Sequence, residues 1–229
     1  MNQPITLALD TSTVVAAGLA GGDTVLASVV VSDRMQHVEQ LMPLVQQALL
    51  EADLSLADVR RIIVGLGPGP FTGLRVGVAT AHVLAAVSSL ELRGVCTLDA
   101  IAGQYCAEHG PPRDHGGFVV ATDARRKEVY WARYDSAGTR LAGPRVGPPE
   151  DVPQLPTIGP AADLYPDRLN AVLGPRRLDP GTLAATGWRL PDAGVEPLYL
   201  RRPDAAEPTR RKPVLLTRPG RPPQRSRDR

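Results

Sequence analysis

Residues 64–77 read VGLGPGPFTGLRVG, the strongest signal in the chain. The run 61–66 enters it apolar and without alternation, as a strand buried on both faces does. Gly67 and Gly69 open backbone angles closed to residues that carry a Cβ, and Pro68 and Pro70 stiffen the turn. Thr72 is placed to cap a helix over 73–89. That helix is small and apolar on nearly every side, so it is buried or packs against a second protein surface. Free amides at its start suit an anion. A rigid turn that sets the helix against the sheet explains the same composition equally well. No Gly-Lys-Ser/Thr follows, so this is not a Walker loop, and the glycine spacing is not the dinucleotide pattern.

Upstream, residues 5–10 (ITLALD), 14–19 and 24–31 read as a three-stranded antiparallel meander, with Gly21-Gly22-Asp23 as a hairpin turn. Residues 35–52 follow as a helix, with Val38, Leu41, Met42, Val45 and Leu49 at spacings of three and four. Pro43 bends that helix unless it lies near the first turn. Downstream come a short strand at Val95, a helix over 98–108 and a boundary at 110–117 (GPPRDHGG). The second half opens with strands over 117–122 and 128–135, and Arg140 begins a third. Periodicity fades between 143 and 180. A helix over 183–188 and a last strand over 195–200 close the folded part. Strands open both halves and helices close them, so an α/β lobe over 1–110 precedes a smaller lobe over 111–201.

The chain has 229 residues, is 43% hydrophobic and only 4% aromatic, so its core is built from Val, Leu, Ile and Ala. The formal charge of +2 hides an uneven distribution. Residues 202–229 are rich in Arg and Pro and poor in core-forming residues. They are expected to be disordered, as a solubilising tail or as an attractor of RNA phosphates. Cys96 and Cys106 form no C-x-x-C pair and match no metal spacing, which suits reduced thiols. Residues 76–87 are too short and too interrupted to span a bilayer. The expectation is a soluble cytoplasmic protein without a membrane partner.

The 64–77 stretch resembles the G-x-G-P-G-S-F-T-G-x-R-x-G signature of the TsaB (YeaZ) family. Four further segments resemble that family in the same order: LALDTS at 7–12, HVEQLMP at 37–43, ATDARRKEVYW at 121–131 and PLYLR at 197–201. One departure is Pro70, where the family usually has Ser. The resemblance implies an actin/Hsp70/sugar-kinase (ASKHA) fold of two related α/β lobes, the second reduced. It also implies a non-catalytic partner of TsaD, the catalytic subunit that transfers threonylcarbamoyl to the tRNA adenosine beside the anticodon. TsaE, an ATPase, joins that complex, tRNA is met through it, and the isolated chain forms a homodimer.

The expected partner interface comprises His37, Leu41, Met42, Val45 and Leu49 on the first helix and Gly73, Arg75, Gly77 and Ala81 on the second. Both stripes also suit the lesser role of covering their own sheet. Asp10, Thr11, Ser12, Gly67, Gly69, Thr72 and Gly73 are the candidates for a vestigial nucleotide or anion site. An Asx-type turn is the preferred reading of Asp10. No catalytic residue is assigned. No metal is expected either: the paired histidines of TsaD-like proteins stand four apart on a helix, and here His37 is followed at that spacing by Leu41. No cofactor is expected to bind tightly, and ATP enters only within the complex. Two competing readings are an ATP-binding kinase or ATPase of the same fold, motivated by Asp10 and the glycine turn, and a metallopeptidase.

Overall fold

The structure is a computed structural model and describes residues 3–31, 39–110 and 116–201. It opens with β1 (Ile5–Asp10), β2 (Val15–Gly21) and β3 (Thr24–Val31), which pair antiparallel in sequence order. After α1 (Leu41–Glu51), β4 (Val59–Gly65) pairs parallel with β1 on its free side. Helix α2 (Phe71–Ser88) then leads to β5 (Glu91–Val95), parallel to β4, and α3 (Thr97–His109) closes the lobe. The sheet order is therefore β3-β2-β1-β4-β5.

The second sheet repeats this plan in shorter form. Strands β6 (Phe118–Asp123), β7 (Val129–Tyr134) and β8 (Arg140–Gly147) form an antiparallel meander. The two-residue β9 (Thr157–Ile158) pairs parallel with β6, giving the order β8-β7-β6-β9. A meander followed by a parallel strand beside its first member is found twice, as expected of two related α/β lobes with the second reduced. Helices α4 (Ala161–Leu164) and α5 (Pro180–Thr186) complete the chain.

Strands β1, β2 and most of β4 are buried on both faces, as their unalternating sequences require, whereas the edge strand β3 is largely exposed. Leu7 and Leu9 of β1 pack toward α1 and α2, whereas Ala8 between them packs toward α3 and α5, as the two-residue period of a strand dictates. The inner core of the second lobe joins this latter cluster through Phe118, Val120, Ala132 and Tyr134. Helix α5 does not extend the second lobe: it lies across β1, β2 and β3.

Several expected elements move. Pro43 is the third residue of α1, so it sits in the first turn, where its missing N–H has no intrahelical partner to lose. Residues 32–38, including the expected start of that helix and His37, lie outside the described residues, as does the 202–229 tail. Helix α2 begins at Phe71 with Pro70 as its N-cap, so Thr72 is a helical residue and not the cap. No strand forms over 195–200. That segment instead ties to the first lobe through single backbone bonds, Ala193 N to Gly94 O (2.9 Å) and Leu198 N to Leu66 O (2.8 Å). Among the described residues α2 alone is long and apolar enough to cross a bilayer, and its Leu74, Gly77, Val78 and Ala81 are buried within this fold.

Candidate functional site

Asp10 ends β1 with its side chain fully buried. Its Oδ1 accepts from the Ser12 amide (2.8 Å) and hydroxyl (2.6 Å), and its Oδ2 accepts from the Thr97 hydroxyl at 2.6 Å. The Thr97 oxygen in turn accepts from the Gly67 amide at 3.1 Å. One carboxylate thus ties together the end of β1, the glycine turn and the start of α3. Burial pushes the Asp10 carboxyl above the usual carboxylate range, and the hydrogen bonds from Ser12 and Thr97 oppose that shift.

The glycine turn and α2 ride on residues 11–12. A Cβ at Gly69 would meet Ser12 Cα at 2.8 Å, one at Gly73 would meet the Thr11 carbonyl at 2.7 Å, and one at Gly77 would strike the Thr11 hydroxyl. That hydroxyl donates to Gly73 O at 2.8 Å. The four-residue glycine spacing therefore serves a close approach within the lobe.

Above this turn the two lobes face each other across a cleft. One cavity of about 210 Å³ is lined by Pro70, Phe71, Arg125, Tyr130, Tyr199 and Arg201. A neighbouring one of about 260 Å³ is lined by Ser12, Thr13, Pro70, Asp123, Arg125 and Arg176. The PLYLR stretch straps the lobes at this point. The Tyr199 ring lies 4.6 Å from that of Phe71 and its hydroxyl accepts from Arg75 Nε at 3.3 Å. Arg201 donates to the Ala124 carbonyl at 2.7 Å and pairs with Glu128.

Helices α1 and α2 pack on the same face of the first sheet. Leu41, Leu44, Val45 and Ala48 of α1 point into the core. The outer face carries Met42 (40% exposed), Leu50 (81%), Val83 (60%) and Val87 (80%). Met42, Ala79, Thr80, Val83 and Leu84 line an apolar groove between the two helices.

A family model described as TsaD, tRNA N6-adenosine threonylcarbamoyltransferase, matches residues 24–169. An uncharacterized protein of Mycobacterium tuberculosis is 43% identical over 205 residues, 87% of this chain and 92% of that protein. The tRNA threonylcarbamoyladenosine biosynthesis protein TsaB of Escherichia coli is 37% identical over 129 residues, which span 56% of this chain and 54% of that one. A solved structure of YeaZ from Pseudomonas aeruginosa superposes with a TM-score of 0.68 at 27% identity, over 86% of this chain and all (100%) of that one. The chain belongs to the TsaB (YeaZ) family.

In this TsaB-family chain the expected site residues divide. Leu41, Val45, Gly77 and Ala81 are buried, and Leu49 is half-buried. They cover their own sheet. Arg75 lies over the Phe71 ring at 3.7 Å. Of the nine expected interface residues, Met42 alone is on the α1/α2 groove, while His37 is outside the described residues. The exposed valines of α2, Val83 and Val87, escape a reading that follows the small residues, because one helix carries both stripes. The expected anion-site residues do come together, but Asp10, Thr11, Ser12 and Gly67 are buried and their polar groups bond one another. Tyr130 and Trp131 are both buried, although adjacent strand residues face opposite sides, because both faces of the second sheet are covered. Among the described residues no three His, Cys, Asp or Glu side chains cluster as a metal site. His82 Nε2 lies 3.1 Å from the Val195 carbonyl, and His109 stacks on Tyr105.

The buried Asp10 gives a pH signature. Its folded-state pKa lies above the unfolded value of 3.8. Its contribution to stability is therefore fully present below pH 3.8 and is lost as pH rises through the folded pKa. Compared with the Asp10→Asn variant by urea denaturation, the wild type gains ground as pH falls from 7.5 toward 4.5. A gap that moves the other way would mean that the hydrogen bonds outweigh burial.

Proposed function

We propose that this chain is the non-catalytic supporting subunit of a tRNA threonylcarbamoyltransferase complex, and that it acts by binding TsaD through the outer face of α1 and α2. The exposed apolar stripe of Met42, Val83 and Val87 carries this reading. Isolated exposed apolar residues are ordinary, but an apolar groove between two helices, lined by Met42 and Val83 with Val87 exposed one turn beyond, suits a partner surface. Two such helices can meet two from TsaD in a four-helix arrangement, and a second copy of the chain can occupy the same face when TsaD is absent. TsaE and tRNA join through TsaD. The buried, internally bonded Asp10 supports a structural role for the old nucleotide corner, so ATP enters only with the complex.

The test is to mix the chain with TsaD of the same organism and measure mass by light scattering after size exclusion. A one-to-one complex that replaces a homodimer is expected. Two unchanged peaks would overturn the proposal. Titration calorimetry of the chain alone with ATP and magnesium is expected to give no saturable heat. Saturable binding would favour the competing reading, an ATPase of the same fold.

A further inference from the structure

Residues 193–201 form no strand, yet they run from β5 along α2 and end on the second lobe. Their path is fixed by contacts to the sheet and to the helix. Ala193 N donates to Gly94 O at 2.9 Å, and Leu198 N donates to Leu66 O at 2.8 Å. Gly94 permits this approach, because a Cβ there would run into the Gly194 carbonyl oxygen. On α2 the Val195 carbonyl lies 3.1 Å from His82 Nε2, and Tyr199 meets both Phe71 and Arg75. Both Phe71 and His82 belong to α2, so the segment follows about 16 Å of that helix.

The far end of the segment grips an unfavourable turn. Between β6 and β7, Arg125, Arg126 and Lys127 follow one another at φ 61°, 54° and 62°. Left-handed angles press a Cβ toward the following carbonyl oxygen, and three such residues in a row persist only where the surroundings hold them. Local bonds do part of this. Arg125 N donates to Asp123 Oδ1 at 2.8 Å, Ala124 N donates to Glu128 O at 3.0 Å, and Glu128 N donates to Arg125 O at 3.0 Å. The rest comes from outside the hairpin. Arg201 donates to the Ala124 carbonyl at 2.7 Å and pairs with Glu128, so it clamps both residues at the base of the turn. Ala124 and Arg125 line the cavity of about 210 Å³, so the shape of the turn sets the mouth of the cleft.

We propose that residues 193–201 are a mechanical coupler that carries the state of the outer face of α2 to the β6–β7 turn, and so to the cleft. The link at the α2 end is His82. It is exposed and stands next in sequence to Val83, which lines the α1/α2 groove. A partner that covers Val83 shields the His82–Val195 contact from competing water and strengthens it. The segment is then held more firmly, and the Arg201 clamp with it. The identity of that partner rests on the subunit reading above, whereas the coupling within the chain does not.

Amide hydrogen exchange in the full chain, resolved to residues 124–128, tests the coupling. Three variants cut the segment at increasing distance from the turn: Arg201→Gln at the clamp, Tyr199→Ala at the start of α2 and His82→Ala at the far anchor. His82 is exposed, so its replacement leaves the fold standing. Exchange in the turn is expected to accelerate about 10-fold in Arg201→Gln and Tyr199→Ala and about 3-fold in His82→Ala, with the β1 and β4 amides unchanged. Acceleration in Arg201→Gln alone overturns the proposal, since the grip is then purely local. Equal acceleration of β1 and β4 in every variant overturns it too, as a general loss of stability. The wild type and Tyr199→Ala are also measured with TsaD added. Protection of the turn by about 5-fold in the wild type, and none in the variant, is expected. Equal protection in both overturns transmission from α2. If size exclusion shows no complex with TsaD, the subunit reading fails, and exchange in the isolated chain still decides the coupling.

Discussion

Val83→Glu is expected to abolish the proposed association with TsaD, and the proposed self-association with it, while the fold stands. Val83 is 60% exposed in the isolated chain and lines the α1/α2 groove. A charge placed there remains solvated in the monomer, so the chain's own stability changes by about 0.5 kcal/mol or less. In a closed apolar interface the same carboxylate is desolvated without a partner, which costs several kcal/mol and weakens binding by roughly 100-fold or more. Val87→Glu, one turn along the same stripe, repeats the effect. Light scattering reads the mass, and circular dichroism confirms that both variants are folded. A Val83→Glu chain that still forms the one-to-one complex would move the interface off these helices.

Gly18→Val is expected to detach α5 and to lower the melting temperature by about 10 °C, the shift that about 4 kcal/mol gives in a chain of this length. Gly18 lies mid-strand in β2, paired with Ala8 and Ser28. A Cβ there would run into the Pro180 carbonyl group and stand 2.5 Å from Gly181 N. Those atoms are backbone at the start of α5 and cannot swing aside. The helix is pinned at that end by Asp179, which accepts from Ser28 Oγ at 2.6 Å and caps the Thr182 amide at 2.6 Å. Losing the dock exposes Leu183, Ala184 and Ala185, which are buried on the sheet. That loss amounts to about 2–4 kcal/mol, before any strain. Limited proteolysis should then cut the chain near 179–189. A melting temperature within about 2 °C of the wild type would show that α5 contributes little to the first lobe.

The strands of the first lobe were legible because they are long and bounded by turn residues. The run 24–31 is read with the same limits it has in the fold, and ITLALD is β1 to the residue. The glycine turn was legible as a strand-to-helix joint, since only Gly and Pro produce such a turn. The meaning of its glycines was not. Gly69, Gly73 and Gly77 look alike whether a helix approaches a partner or its own lobe, and only the position of residues 11–12 above α2 decides between them. The same holds for Asp10. A carboxylate at a strand end suits an anion-site role and an Asx turn alike, until the Thr97 hydroxyl, 87 positions away in sequence, is found on its second oxygen.

The sequence by itself determined the fold class, the strands of the first lobe, the family and the point where the chain turns from core-forming to basic, because these depend on local pattern and on motif order. The tertiary structure decided which helix face is outside and where α5 and the PLYLR strap lie. Those are outcomes of long-range packing: a helical stripe of Leu or Val carries no mark of which side the sheet will take, and a seven-residue helix goes wherever two backbones can come closest.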